Sequence, residues 1–138
     1  MNSDAIILQS LETALSAVAN GLDVAYVNTR LIPSKAPIHL EAHILPASAT
    51  GTSIGDGHVR KTGTFQVTVV GNAGEGMSEI NAVVATIENA FQRGRTVFAD
   101  ETARVMIDEP VSPGPQIPDG PKVRLPLSIS YLADFYNN

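Results

Sequence analysis

The chain has 138 residues, of which 43% are apolar and 17% are charged, and its 14 acidic side chains against nine basic ones give a net charge of -5. This length and composition are typical of one globular domain, 1–138, and no apolar run approaches the roughly 18 residues that a membrane-spanning helix needs. The acidic excess disfavours nucleic-acid binding as a primary task, and the lack of cysteine excludes disulfides, thiolate metal sites and a cysteine nucleophile.

The N-terminal segment 3–20 predicts an amphipathic helix, because Ile7, Leu11 and Leu15 recur at helical spacing and Gly21 follows as a stop. It has no basic region and no small-residue cleavage site, so we expect no signal peptide. Three strands are predicted after it, at 23–27, 38–45 and 64–70.

The predicted strand 38–45 alternates apolar side chains with His39, Glu41 and His43, which is typical of a sheet with one buried face. The three polar side chains superficially suggest a metal site. The two histidines lie roughly 13 Å apart along an extended chain, so only an adjacent His/Glu pair could hold one ion comfortably. We therefore interpret them as the polar face of a sheet or as a contact surface for another subunit, with no metal.

Residues 46–63 are rich in Gly, Ser and Thr and offer little apolar surface to offset the entropy of ordering. We therefore expect a long, mobile loop. Loops of this length inside a compact domain are usually functional or disordered. His58 would be poorly held there as a catalytic base, and neighbouring charges such as Arg60 and Lys61 more often aid solubility than recognition.

The sequence GNAGEG at 71–76 raises the question of a phosphate-binding loop. It lacks the Gly-Lys-Ser/Thr ending of a P-loop, and its spacing is G-x-x-G-x-G rather than the dinucleotide-binding G-x-G-x-x-G. Glu75 would also face the negative charge of a phosphate. We predict no cofactor here, only a turn that leads into a second helix over 76–93.

The C-terminal third predicts further strands at 96–99, 103–108 and 122–135. Between the last two, residues 110–121 contain five prolines and two glycines, which is typical of a stiff, irregular connection. The final segment alternates apolar and polar side chains almost throughout, and we expect a bend or an edge position at Pro126.

The order of these elements offers too few helices to cover both faces of a parallel sheet. It favours an α+β fold, with a single twisted, mainly antiparallel β-sheet packed by two helices and with long loops at 46–63 and 110–121. No G-x-S-x-G nucleophile elbow is present. The neighbouring carboxylates Asp100 and Glu101 are typical of solvated charge at a strand end. We predict no catalytic residue.

Several stretches together resemble the siphophage tail terminator family, whose members are also called tail-completion or minor tail proteins. The stretches are IHLEAHILPA, GTFQVTVVGNAGEG, ENAFQRG and VRLPLSISYLADF, with a glycine-rich insert after the first. The resemblance covers nearly the whole chain and lies in an ordered pattern of strands and glycines, without a catalytic motif. It implies a structural virion protein at the head-proximal end of the phage tail, assembled in the host cytoplasm.

The resemblance further implies a hexameric ring that caps the tail tube, stops the addition of tube subunits and presents a surface to a head-completion or connector protein. A closed ring needs heterologous contacts between protomers, which we expect from 46–63 and from a rim at 110–121. Our candidate contact residues are Ile54, His58, Arg60, Lys61, Pro113 and Ile117.

A ring around the tail axis also needs a channel-facing surface. We expect His39, Glu41 and His43, or the polar side of the last strand, to face the channel. DNA would pass through it without specific binding, because an acidic protein disfavours phosphate contacts.

Two other classes of function stay open at this point. A small enzyme or ligand-binding α+β domain would have a concave apolar pocket with convergent polar groups. A monomeric adaptor protein would show a single species near 14.5 kDa.

Overall fold

The computed structural model describes residues 3–19, 22–27, 38–51 and 57–136. Within these ranges, no helix is both long and apolar enough to cross a membrane. The elements in chain order are α1 Ser3–Val18, β1 Asp23–Ala25, β2 His39–Gly51, β3 Val59–Asn72, α2 Ser78–Ala90, β4 Thr96–Ala99, β5 Ala103–Ile107, β6 Ser112–Pro113, β7 Ile117–Asp119 and β8 Lys122–Phe135.

All of the described strands belong to one sheet with the order β1-β2-β3-β8-β5-β4, in which β6 and β7 also pair with β8. β1 and β2 run parallel, and the other strand pairs are antiparallel. This arrangement of two helices and a mainly antiparallel sheet confirms the predicted α+β fold. The strict alternation of 122–135 became one continuous strand with the predicted bounds.

The core lies between the two helices and one face of the sheet. Leu11 of α1 and Ile87 of α2 belong to the same buried cluster as Leu40, Phe65 and Ile129 of the three central strands. The rings of Phe65 and Phe91 pack at a centroid distance of 6.4 Å. Because successive side chains of a strand alternate between faces, the residues between these core positions lie on the opposite side.

We call that opposite side the outer face. Strand register places the odd-numbered 39–43 of β2, the even-numbered 60–72 of β3 and the even-numbered 122–134 of β8 on it. The shorter strands add Asp23 of β1, Arg104 of β5, Ser112 of β6, and Ile117 and Asp119 of β7.

The prediction of a long loop at 46–63 is wrong for most of that segment, because β2 continues to Gly51 and β3 begins at Val59. β3 pairs with β8 along its whole length, from Val59 opposite Phe135 to Asn72 opposite Lys122. A strand that joins an existing sheet gains its hydrogen bonds through the backbone, so a segment of small polar residues can pair without an apolar surface of its own. Residues 52–56 lie outside the described part of the chain.

The proline-rich segment 110–121 also differs from the prediction of an irregular connection, because β6 and β7 lie within it and pair with β8. Together with β5 they line the side of β8 that β3 leaves free. β8 is therefore an interior strand, and an edge position at Pro126 is wrong. Pro126 is tolerated because it falls between the stretches that pair with β6 and β7, where a missing N–H interrupts neither short ladder, and its carbonyl accepts a hydrogen bond from the Gly114 N–H at 2.8 Å.

Candidate functional site

The outer face carries the polar residues that the sequence singled out on 38–45. His39, Glu41 and His43 lie opposite Val70, Thr68 and Gln66 of β3, on the side away from the helices. The alternation of that strand therefore predicted the polar face correctly. The orientation of these residues toward a channel stays a prediction.

One ion cluster on the outer face centres on Glu41. Its carboxylate contacts His39 Nε2 at 2.9 Å and accepts a hydrogen bond from the Arg124 guanidinium. Arg124 also reaches the carboxylate of Asp119 at 3.5 Å. We call these four residues the Glu41 cluster.

The Glu41 cluster spans β3, because Glu41 belongs to β2 and Arg124 belongs to β8. In the strand register, Thr68 and Val70 of β3 lie between the two partners. This placement accounts for the burial of both residues, 5% and 1% exposed, on a face that no helix covers.

The protonation state of Glu41 is fixed by these contacts. Burial raises the pKa of the Glu41 carboxyl, but the hydrogen bonds from His39 and Arg124 and their positive charge lower it more, so the net pKa lies below its usual value. Glu41 is therefore ionised at neutral pH and remains a partner for the guanidinium.

A second ion cluster lies at the other end of the outer face and centres on Asp134. Arg60 donates to Asp134 through Nε at 2.8 Å and through a second nitrogen at 3.4 Å, and His58 Nε2 lies 3.0 Å from the same carboxylate. The His58 ring stacks on Tyr136 at a centroid distance of 4.7 Å and an interplanar angle of 11°. We call these four residues the Asp134 cluster.

Asp134 is only 6% exposed, yet it is held in its ionised form. Burial raises its pKa, but the hydrogen bonds from Arg60 and His58 outweigh that effect and leave the pKa below its usual value. The same contact raises the pKa of Arg60. A charged carboxylate can be buried at this position because two cationic or hydrogen-bonding partners compensate for the lost solvent.

Between the two clusters the outer face is lined mainly by polar side chains, with Leu132 and the exposed Leu45 as apolar exceptions. Thr62, Thr64 and Gln66 of β3 lie opposite Leu132, Ser130 and Ser128 of β8. Arg60 and Thr68 are eight residues apart on β3, which places the clusters roughly 26 Å from each other along the strand. The face is therefore a hydroxyl-rich strip with an ion cluster at each end.

The charges of the strand residues on this face balance. Four are basic and four are acidic: Arg60, Arg104, Lys122, Arg124, Asp23, Glu41, Asp119 and Asp134. The chain as a whole has a net charge of -5, so its acidic excess lies elsewhere. An acidic balance therefore cannot be what keeps DNA from binding to this face.

The other candidate contact residues are spread over the molecule. Lys61 lies on the opposite side of β3 from Arg60, and its ammonium contacts Ser3 and Asp4 at the start of α1 at 2.6 and 3.0 Å. Pro113 and Ile117 lie on β6 and β7, and Ile117 is a large apolar side chain that is 47% exposed. Ile54 lies outside the described residues.

Metal binding and catalysis gain no support from the described residues. Among them, no group of three or more His, Asp and Glu side chains could hold a metal ion. A cavity of about 390 Å³ lies between α1 and β4, lined by Ile6, Val97, Phe98 and polar neighbours. Asp100 is the ionisable residue in its lining, and its carboxylate already accepts hydrogen bonds from its own turn.

The alternation of the last strand predicts that Asp134 and Arg124 lie on its polar side. It does not predict that they belong to the Asp134 cluster and the Glu41 cluster. His58 and Asp134 are separated by 76 positions, and Arg124 and Glu41 by 83. The alternation of 122–135 identifies their face, but only the strand order and register bring these residues to their partners.

Comparisons with known proteins agree with this architecture. A family model described as "Phage tail terminator protein" matches residues 6–131. One solved structure with 28% sequence identity superposes with a TM-score of 0.79 and covers 100% of this chain and 99% of its own. No curated protein matches the chain.

Proposed function

Because this chain belongs to the phage tail terminator family, we propose that it forms a closed ring on the end of the tail tube, stops further tube growth and presents a surface to the head connector. This family is a structural one, not a family of enzymes. Membership implies a structural role in the phage tail and interaction with other tail components. The ring, which we expect to be hexameric, and its head-proximal position are the proposed part.

The observation that carries the proposal is the family match over 6–131, joined to a sheet face without helix cover. Both helices belong to the core on one side of the sheet. The outer face is largely polar, and its Glu41 and Asp134 carboxylates are paired with Arg124 and Arg60. Such a face suits the lining of a channel, and we propose that His39, Glu41, His43 and the polar side of β8 face inward.

The contacts between protomers are proposed from the unpaired and exposed parts of the sheet. β1 pairs with β2 only at 39–41, so among the described residues the outer edge of β2 from Ala42 to Gly51 has no strand beside it. A free strand edge is a surface for another chain. We propose that the segment from the end of β2 to the start of β3, with the candidate residues Ile54, His58, Arg60 and Lys61, reaches a neighbouring protomer or the tube end.

We propose a second contact at the segment 110–121, the rim that includes Pro113 and Ile117. Ile117 is 47% exposed, and exposed apolar side chains on a rim are suitable for the heterologous contacts of a ring. The rim is held against β8 by β6 and β7, so its side chains are presented in a fixed position.

The test is assembly of the purified chain, alone and with purified tail tube protein. Light scattering and negative-stain images should show a closed ring, and tubes polymerised in the presence of the chain should be capped and shorter than tubes polymerised without it. A chain that remains monomeric at high concentration and leaves tube length unchanged would refute the proposal.

The contact proposed for the segment from the end of β2 to the start of β3 needs a variant that leaves the sheet intact. Deletion of 49–61 would remove residues that pair with β2, β3 and β8, so a failure to assemble would report only a damaged fold. Ile54→Asp changes no described contact. We expect it to weaken ring formation without lowering the melting temperature, and normal rings with normal capping would exclude Ile54 as a contact.

A further inference from the structure

Two arginines of the outer face have the position and chemistry to bind phosphate, but each is already occupied by a carboxylate. Arg60 donates two hydrogen bonds to Asp134, and Arg124 donates to Glu41 and, at a longer distance, to Asp119. Guanidinium groups bind carboxylate and phosphate through the same planar pair of donors. The two anions therefore compete for the same atoms.

Net charge does not protect this face from nucleic acid, since its four basic and four acidic strand residues balance. The side chains of Arg60 and Arg124 remain 43% and 29% exposed. Without their carboxylates, both guanidinium groups would be accessible at the two ends of a hydroxyl-rich strip, and hydroxyl and amide groups are common partners of phosphate oxygens.

We propose that the outer face contains two latent sites for the phosphate backbone of double-stranded DNA, and that Glu41, with Asp119, and Asp134 keep these sites closed. An intramolecular carboxylate is present at a high effective concentration, so a phosphate must break an existing charge-assisted hydrogen bond before it can bind. The displaced carboxylate would then face the incoming phosphate with like charge. Local pairing, rather than a net negative charge, is what gives the face its low affinity for DNA.

The role of these closed phosphate sites rests on the proposed function, in which DNA moves along the outer face. A channel lined with free arginines would retain DNA, whereas a channel without cations would leave buried carboxylates such as Asp134 unpaired. Paired side chains satisfy both requirements, because the ion pairs hold neighbouring strands together and leave little affinity for a third charged group.

The experiment measures the binding of a short blunt DNA duplex to the full chain by fluorescence anisotropy as a function of salt. Glu41→Gln with Asp119→Asn frees Arg124, and Asp134→Asn frees Arg60. The matched control is Glu79→Gln with Glu88→Gln, which makes the same change in net charge as the first pair at exposed positions of α2. Circular dichroism confirms that each variant is folded.

We expect the unmodified chain and the control to bind the duplex weakly and to the same extent. Each freed guanidinium that contacts a phosphate should steepen the plot of log affinity against log salt by about 0.9, which corresponds to about tenfold tighter binding at about 50 mM salt. Adding Arg124→Gln to the Glu41→Gln/Asp119→Asn variant should remove its increase in affinity for the duplex.

An equal increase in DNA affinity in the α2 control would overturn the proposal, because the change in net charge would then explain the tighter binding. No gain in a folded outer-face variant, or a gain that survives Arg124→Gln, would also overturn it. If Asp134→Asn fails to fold, the Glu41/Asp119 variant still tests the proposal. We expect that variant to fold, because Asp119 is exposed and Glu41 is only partly buried. The assay uses neither rings nor tubes, so its failure is distinct from failure of the proposed tail function.

Discussion

Gly63 provides a sharp test of the sheet register. The sequence placed it at the end of a mobile loop, whereas in the structure it lies within β3, paired with Tyr131 of β8 and with Pro46 of β2. A Cβ atom added at Gly63 would lie 2.5 Å from Tyr131 Oη and 2.7 Å from both Tyr131 Cζ and the Leu45 carbonyl oxygen. The substitution Gly63→Ala therefore inserts a methyl group where the ring of Tyr131 crosses the strand.

The magnitude follows from what would have to move. Tyr131 is 2% exposed and the Leu45 carbonyl belongs to the backbone of β2, so neither can shift cheaply. Overpacking of this kind costs about 1–3 kcal/mol, and the lower entropy of an unfolded chain that has alanine instead of glycine offsets about 0.4–1 kcal/mol of it. We expect a net loss of about 1–2 kcal/mol in the free energy of unfolding.

Gly71→Ala is the matched control, since it makes the same substitution in the same strand. Its new Cβ would approach Ile80 Cδ1 at 2.7 Å and Ile80 Cγ1 at 3.1 Å, but its three nearest neighbours are all aliphatic side-chain atoms, which can repack, whereas Gly63 also faces a backbone carbonyl. We expect its free energy of unfolding to change by less than about 1 kcal/mol. Urea unfolding of both variants measures the difference, and a Gly63→Ala variant as stable as Gly71→Ala would refute the observed register.

Three further outcomes follow from the structure. Truncation of the fully buried Phe91 to alanine should cost about 3–5 kcal/mol in urea unfolding, and a loss below about 1 kcal/mol would contradict its place in the core. Since the pKa of Asp134 is lowered in the folded state, its ionised form contributes stability above its unfolded pKa of about 3.9, and that contribution is lost as the pH falls from there through the lowered value. The gap in melting temperature between the unmodified chain and Asp134→Asn should therefore narrow as the pH falls below about 4, and a constant gap would speak against the ion pair. Ile117→Asp should weaken self-association in sedimentation velocity more than the neighbouring Gln116→Glu, which adds the same charge, and equal behaviour of the two would exclude Ile117 as a contact.

Segment 46–63 was predicted to be a loop from its local composition, but most of it is strand. Glycine, serine and threonine predict a loop because they bury little apolar surface by themselves. In the structure, the residues from Val59 onward pair with β8 on one side and with β2 on the other. The stabilisation therefore comes from neighbours that the local sequence does not display.

On the outer face too, the local sequence predicted some features and not others. The alternation of 38–45 and of 122–135 is a local signal with a period of two residues, and it predicted correctly which side chains share a face. The partners of those side chains were not predictable, because a pairing such as His58 with Asp134 depends on how far two strands slide past one another. A shift of one residue would have placed Asp134 in the core.

The sequence by itself determined the class of fold, since hydrophobic periodicity over one strand or one helix is written in consecutive residues and needs no distant partner. It also determined the family, because an ordered pattern of strands and glycines extends along nearly the whole chain. Only the tertiary structure decided that 46–63 is mostly strand, that Pro126 lies in an interior strand and that Arg60 and Arg124 of the outer face each meet a carboxylate. Those features are contacts between residues that lie dozens of positions apart, and the free energy that selects them comes from strand pairing and burial across the sheet.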